Sequence, residues 1–538
     1  MFDTALFSRR LRNALLSSAL ALTIGLGAVP AEAQVTAYKQ AVAEAASVDD
    51  GLAAFYRQSG YAPLWTGEGE EHRARRAALI EALRNAHIHG LPTSRYDVAG
   101  LMRQMRDART TRDIGLVEVK LSEMFLTYAH DVQSGMLTPA SIDPGIVREV
   151  PRRSSDELLA GFTNGNPRDF LSSLPPSNAE YRALMKERLR LEKVVADGSW
   201  GPVVPVRKLE RGDSGEAVVS LRNRLIAMGY MDRSVSASFD RALEEGVMAF
   251  QTAHGLESDG VAGKGTIEEI NKPAVQRLRS VLVAMERERW MNIERGERHV
   301  LVNLADFQAK IVDHGEVTFK TRSVIGKNVP DQRSPEFSDV MEHMIINPSW
   351  HVPRSIMTKE YLPQLKNNPQ AASHLIITDR SGRRVNREEM DFTQFSTRNF
   401  PFDMRQPPST RNALGLVKFM FPNKHNIYLH DTPQKHLFKR ETRAYSHGCI
   451  RLADPFDFAY ALLARQESEP KAFFQDILKT RRETKVDLEK QVPVHLIYRT
   501  ATVSAKGKAE YRRDVYGRDA KIWDAIERAG VALRDVQS

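Results

Sequence analysis

Asn426-Ile427-Tyr428-Leu429-His430 and, sixteen positions after His430, Ser446-His447-Gly448-Cys449-Ile450-Arg451 decide how the second half of this 538-residue chain is read. Successive side chains of an extended strand point to opposite faces. Ile427 and Leu429 therefore share an apolar face, and Tyr428 and His430 share the other. The same period sets His447, Cys449 and Arg451 on one side of the second stretch and Ile450 and Leu452 on the other. Each stretch has one face for a core and one for a cleft, the pattern of a sheet that carries polar groups to a site. Gly448 tolerates backbone conformations closed to other residues, which suits a sharp approach to that site.

Working outward, strand texture begins near Glu294. Val300 to Leu304 and Ile311-Val312 are apolar runs, and Met344 to Ile346 leads into Asn347-Pro348-Ser349-Trp350-His351-Val352-Pro353. It resumes at Leu416 to Phe421 and at Val494 to Tyr498. Short β-branched-rich runs between turns predict a sheet, most simply an antiparallel one. Residues 355–408 read as a polar, helix-tending insertion with no strand partner, a size common for lids. Asp454-Pro455 reads as an N-cap followed by proline at the first helical position, opening a helix through Phe458, Leu462 and Leu463. The tail 501–538 reads as an extension of the sheet domain.

The first half reads as helices. Gly115 to Leu126 and Glu180 to Val195 space Leu, Val and Met at three or four residues with charges between them. Gly90-Leu91-Pro92 and Leu174-Pro175-Pro176 are breaks, and His87 and His89 read as surface or packing residues. Residues 34–200 thus form a helical scaffold, ended by the linker Gly201 to Pro205. Residues 206–273 alternate helical runs (Leu221 to Leu225; Val247, Phe250) with glycine turns at Gly229, Gly255, Gly260 and Gly263, as a three-helix bundle would. The fold class is multidomain α+β, with a mainly β domain over 294–500.

Arg9, Arg10 and Arg12, an uncharged run from Asn13 to Val29 and Pro30-Ala31-Glu32-Ala33 have the layout of an export signal cleaved after Ala33. An uncleaved anchor is the alternative, because the run approaches the length that spans a bilayer. Past residue 33 no stretch is apolar enough to span a membrane, so the expected location is extracytoplasmic, in the periplasm. The formal charge of +9 falls to +8 when the signal leaves. For an exported chain that balance points to an anionic wall, lipid or acidic glycan and away from nucleic acid. Acids are interspersed with the bases throughout, which also fits an ordinary solvated surface.

Cys449 is the only cysteine. It has no internal disulfide partner, so it is a bystander, an intermolecular link or a reactive group. A thiol near its reference pKa of about 8.5 is only a few per cent ionised at neutral pH, and an imidazole changes that by accepting its proton. His430 is the candidate acid/base, and the N–H groups of Gly448 and Cys449 are candidate oxyanion donors. A zinc cluster of His425, His430, His436, His447 and Cys449 is disfavoured, since the spacings match no common finger and no second thiol exists.

These residues closely resemble the L,D-transpeptidase family, cysteine enzymes that cross-link peptidoglycan. The matching pattern is His430, then Ser446-His447-Gly448-Cys449-Ile450-Arg451, together with Asn347-Pro348-Ser349-Trp350, Asn412-Ala413-Leu414-Gly415 and Leu429-His430-Asp431-Thr432-Pro433. Residues 206–273 resemble the peptidoglycan-binding module of bacterial wall enzymes, and larger family members carry a helical scaffold and a capping insertion as well. The resemblance implies that Cys449 attacks the bond between meso-diaminopimelate and D-Ala in a tetrapeptide stem, forms a thioester and passes the acyl group to the side-chain amine of another stem. It implies His430 as acid/base and His447 with Gly448 as shapers of the oxyanion site. Tyr428, Ser446, Arg451 and Trp350 are expected near substrate, with Arg451 either holding a carboxylate or bracing the loop, and Trp350 either a cleft wall or core. It implies acylation by carbapenem-type β-lactams and requires no metal or organic cofactor. Resolution of the same thioester by water, or by a lipoprotein, stays open on these residues, as does a non-catalytic wall-binding scaffold.

Overall fold

A computed structural model describes residues 31–504 and 507–533 of the chain. The export signal expected over residues 1–33 lies outside them, apart from its last three positions.

The N-terminal half is helical, as its periodicity requires. Its longest helix, Thr111–Ser134, opens on a capping box in which Thr110 and Asp113 satisfy each other's backbone N–H groups. Trp65, Phe125 and Phe162 stack at its centre, with ring centroids 4.6 to 5.9 Å apart. Buried among them, Glu118 accepts hydrogen bonds from the Leu64 N–H (2.6 Å), the Thr66 N–H (2.9 Å), the Thr66 hydroxyl (2.8 Å) and the Tyr56 hydroxyl (2.9 Å). Of the two expected packing histidines, His87 is exposed and His89 stacks on Tyr181. Helices Glu216–Ala227, Arg241–Ala253 and Lys264–Ile270 close the three-helix unit around Leu221, Leu225, Val247, Phe250 and Ile270.

Helix Ala274–Trp290 then runs through the middle of the molecule. Its Glu286-Arg287-Glu288-Arg289 run is buried, contrary to the solvated surface that interspersed charges suggest. Each charge is paired: Arg289 with Glu286 at 2.6 Å, Arg287 with Glu336 at 2.5 Å and Asp519 at 3.0 Å, and Glu288 with Arg295 at 2.8 Å and with Arg499. Buried charges persist only with such partners. Residues Ala501, Tyr511, Ile522, Trp523 and Ile526 of the tail pack with this helix and with helix Ala179–Ala196.

The sheet domain contains strands β1 (Arg298–Asn303), β2 (Gln308–Asp313), β3 (Glu316–Gly326) and β4 (Phe337–Ile346). After them come β5 (Trp350–His351), β6 (Ile376–Thr378), β7 (Asp403–Gln406), β8 (Val417–Met420), β9 (Leu429–His430), β10 (Ala444–Ser446), β11 (Ile450–Leu452) and β12 (Thr484–Ile497). Nine of them pair in the order β10-β3-β11-β9-β8-β4-β12-β1-β2, and β2 also pairs with β3, so eight strands close into a ring. The sheet is mixed, where an antiparallel one is the simplest expectation: within the ring β1 with β12 and β9 with β11 run parallel, as does β10 with β3 outside it. Parallel neighbours need a crossover connection. Residues 431–449 make one, and it brings Cys449 back beside Tyr428. Val300, Ile311, Met344, Phe419, Leu429, Ile450 and Leu496 fill the interior, and helix Pro455–Leu463 covers it with Phe458 and Leu462.

The insertion differs from its helix-tending reading. Strands β5, β7 and β6 form a three-stranded sheet, and helix is confined to residues 354–367, with a wide π turn at Met357–Tyr361, and to a single 3-10 turn at Phe392–Gln394. Trp350, Leu365, Ile377, Phe392, Phe400, Phe402 and Met404 give it a core of its own. Strands of two to four residues are too short to show a period in sequence, and each partner lies far along the chain. Among the described residues no helix is long and apolar enough to cross a membrane, and no group of three or more His, Cys, Asp and Glu side chains is arranged to hold a metal ion.

Candidate active site

The two stretches that decide the sequence reading meet in the β9/β11 pair, with Leu429 opposite Ile450 and His430 opposite Arg451. Ile427, Leu429, Ile450 and Leu452 are buried in the barrel core. That apolar anchor turns Tyr428, Cys449 and Arg451 toward the rim. Asn423 builds the turn before β9: its amide donates to the Phe421 and Ile427 carbonyls at 2.6 and 2.8 Å, and its Oδ1 accepts from the His425 and Ile427 N–H groups. Asn426 takes a φ of +53° there, a left-handed conformation that asparagine tolerates better than most residues. Its carbonyl accepts the Cys449 thiol at 3.5 Å.

The cysteine loop is held from below. Gly448 has φ +118°, and its carbonyl accepts a 2.6 Å hydrogen bond from the buried Ser334 hydroxyl, which also accepts from the Gly326 N–H at 3.0 Å. Ser446, expected near substrate, is buried; its hydroxyl accepts from the Gly448 N–H at 3.1 Å and donates to the Cys449 carbonyl at 2.5 Å. Ser446 is therefore a brace, and the Gly448 N–H expected in an oxyanion hole is already bonded within the loop. The Cys449 N–H has no acceptor among the described residues.

His430 is buried, with Nδ1 directed at the Asp431 carbonyl and the Leu414 carbonyl also against the ring. No hydrogen bond joins it to Cys449. Tyr428 stands beside it, ring centroids 5.6 Å apart, and directs its hydroxyl at the Cys449 thiol and the Trp350 indole. Burial pushes the thiol up to about 11, against the pull of the Tyr428 N–H and hydroxyl and of the Arg451 and Lys418 cations. Burial, then the Arg451 guanidinium, push His430 down to about 3. The resting pair is a neutral thiol and a neutral imidazole, which suits general-base transfer and not a preformed ion pair.

Two site residues escape sequence reasoning. Lys418 of β8 lies opposite His430, with Nζ 5.9 Å from the Tyr428 ring centre; burial lowers its pKa. Alternation in Val417 to Phe421 would have shown it facing the cleft. Glu360, on the π turn of the insertion, pairs with His447 Nε2, while neighbouring Lys359 meets Asp331 at 2.5 Å. Nothing in the sequence signals the Glu360 contact. Trp350 takes both expected roles, packing in the insertion's core and lining the cleft beside Arg451.

Comparison with known proteins divides the chain into three matched segments. Residues 297–483 match the L,D-transpeptidase catalytic domain, residues 214–270 the family described as "Putative peptidoglycan binding domain", and residues 50–187 the scaffold domain. A curated relative from Haemophilus influenzae, described as "Putative L,D-transpeptidase", is 27% identical over 254 residues, 46% of this chain and 51% of the relative. The chain thus spans about half the length of the curated relative it matches. Crystal structures of L,D-transpeptidases from Xylanimonas cellulosilytica (15% identity, TM-score 0.17, 55% of this chain and 100% of that one) and Stackebrandtia nassauensis (13%, 0.22, 55% and 97%) are more distant, at scores too low to carry weight. The histidine and cysteine strands lie inside the segment that matches an L,D-transpeptidase catalytic domain, with matches to a scaffold domain and a peptidoglycan-binding domain ahead of it.

Proposed function

We propose that the protein cross-links peptidoglycan as an L,D-transpeptidase of the cell wall, exported to the periplasm. Cys449 attacks the carbonyl joining the L-centre of meso-diaminopimelate to D-Ala in a tetrapeptide stem. The C–N bond breaks, the thiol proton passes by way of His430 to the departing D-Ala amine, and the acyl group remains as a thioester. The side-chain amine of a second stem then attacks. A new C–N bond forms, the C–S bond breaks, and the amine proton returns through His430 to the sulfur. The Cys449 N–H, unbonded in the resting loop, is the oxyanion donor. Because both groups rest neutral, proton transfer accompanies attack, and the thiol leaves the Asn426 carbonyl for the imidazole when substrate binds.

The observation that carries this reading is the lone thiol on the Gly448 loop, in register with the histidine strand inside a segment that matches the catalytic domain. The wall-binding match supports the location and the substrate class. Incubation with disaccharide-tetrapeptide and mass spectrometry tests it. A dimer joined through two diaminopimelate residues, lost in Cys449→Ala while the fold is kept, is the expected result. Tripeptide alone means hydrolysis of the thioester, and turnover by Cys449→Ala refutes the mechanism. Carbapenem addition should appear as one mass increment on Cys449.

A further inference from the structure

On the flank where Arg451 faces His430, a cleft of about 740 Å³ opens between the insertion and the barrel. Trp350, Tyr361 and His374 form one wall, with ring centroids 6.4 Å apart from Trp350 to Tyr361 and again from Tyr361 to His374. The loop after His430, Thr432 to Gln434, and Arg451 form the other. Two guanidiniums line the cleft and no carboxylate does. Arg451 donates to Gln434 Oε1 at 2.6 Å, and its Nε is buried without a partner. The Arg411 side chain is exposed and has no hydrogen bond or ion pair among the described residues. Aromatic walls with two uncompensated cations match a flexible peptide that bears free carboxylates.

The proton path says which peptide. In the proposed reaction, on which this inference rests, the amine that leaves and the amine that enters exchange a proton with the same imidazole, so both pass on the same side of it. In D-Ala and in the D-centre of diaminopimelate that amine shares its carbon with a carboxylate. Arg451, across from His430, is placed for this nearer carboxylate. D-Ala has no second one to offer Arg411. An acceptor stem does, since its diaminopimelate carries a further carboxylate at the L-centre, free in a tripeptide. We infer that the cleft is the acceptor subsite, with Arg451 taking the carboxylate beside the attacking amine and Arg411 the second carboxylate of the acceptor stem.

The test uses the full chain, a labelled tetrapeptide donor and a tripeptide acceptor, which lacks D-Ala and cannot acylate the enzyme. The acceptor is supplied either as the free acid or amidated at the L-centre. The wild type should prefer the acid. Loss of one charge-assisted contact in Arg411→Gln should raise the acid concentration for half-maximal dimer about tenfold, leave the amide nearly unaffected, and be largely restored in Arg411→Lys. An acid-over-amide preference that survives in Arg411→Gln, or a shift in the donor dependence instead, overturns the assignment. If the wild type forms no acyl-enzyme from the donor, the proposed function itself fails, and the subsite with it.

Discussion

Alkylation of Cys449 by iodoacetamide reads the protonation state of the site directly, because the chain has no other thiol. The thiolate is the reacting species. With the thiol pushed up to about 11 by burial, about one molecule in 10⁴ is ionised at pH 7, against about 3% for a free cysteine of pKa about 8.5. Below its pKa the ionised fraction rises tenfold per pH unit, so the alkylation rate should climb about tenfold with each unit from pH 6 to 10 with no plateau. His430, held down to about 3, is already neutral across that window and should add no inflection. His430→Ala should therefore leave the alkylation profile nearly in place while slowing D-Ala release by roughly 10² to 10⁴, the usual contribution of a positioned base. The assay is a rate profile by mass spectrometry, run beside product release. A plateau near pH 7 to 8, or alkylation that collapses in His430→Ala, means a resting thiolate–imidazolium pair and refutes the neutral-pair mechanism.

Ser334→Ala removes the hydroxyl that holds the Gly448 carbonyl and the Gly326 N–H. It should cost about 1 to 3 kcal/mol and slow acylation more than it lowers the unfolding temperature; a wild-type acylation rate counts against the bracing role. Gly448→Ala meets side-chain atoms no closer than 3.3 Å but sits at φ +118°. Strain of about 1 to 3 kcal/mol should displace the thiol and abolish acylation in a chain that still folds, as circular dichroism would show. Glu118→Ala strips the acceptor from buried donors on Tyr56, Leu64 and Thr66. Each buried donor left unsatisfied costs about 1 to 3 kcal/mol, so the helical region should be clearly destabilised in denaturant titration, and an unchanged midpoint would sink that account.

Much of the site can be read from residue order. Alternation separates Ile427 and Leu429 from Tyr428 and His430, and the structure buries the first pair in the barrel core, sets the rings of the second pair 5.6 Å apart and brings the Tyr428 hydroxyl to the thiol. Gly448 is recognisable because its φ of +118° demands glycine. Ser446 reads wrongly for a local reason: a hydroxyl beside a candidate nucleophile looks like a substrate contact, but the turn folds it inward to bond with Gly448 and Cys449. The Glu286 to Arg289 run misleads as well, since a charged stretch shows nothing of the Arg287 partners Glu336 and Asp519, which lie 49 and 232 residues away.

By itself the sequence determines the helical and strand texture and singles out one candidate nucleophile and a candidate base, because these depend on local periodicity and on which side chains carry chemistry. Tertiary structure alone decides that the sheet closes into a mixed ring, that β9 and β11 lie parallel so that Tyr428 touches Cys449, and that Glu360 reaches His447 from the insertion. It also decides the protonation of the pair. Desolvation pushes the half-buried thiol up to about 11 and the buried imidazole down to about 3, the latter helped by the Arg451 charge beside it. Desolvation depends on everything packed around a group, and most of that arrives from distant parts of the chain.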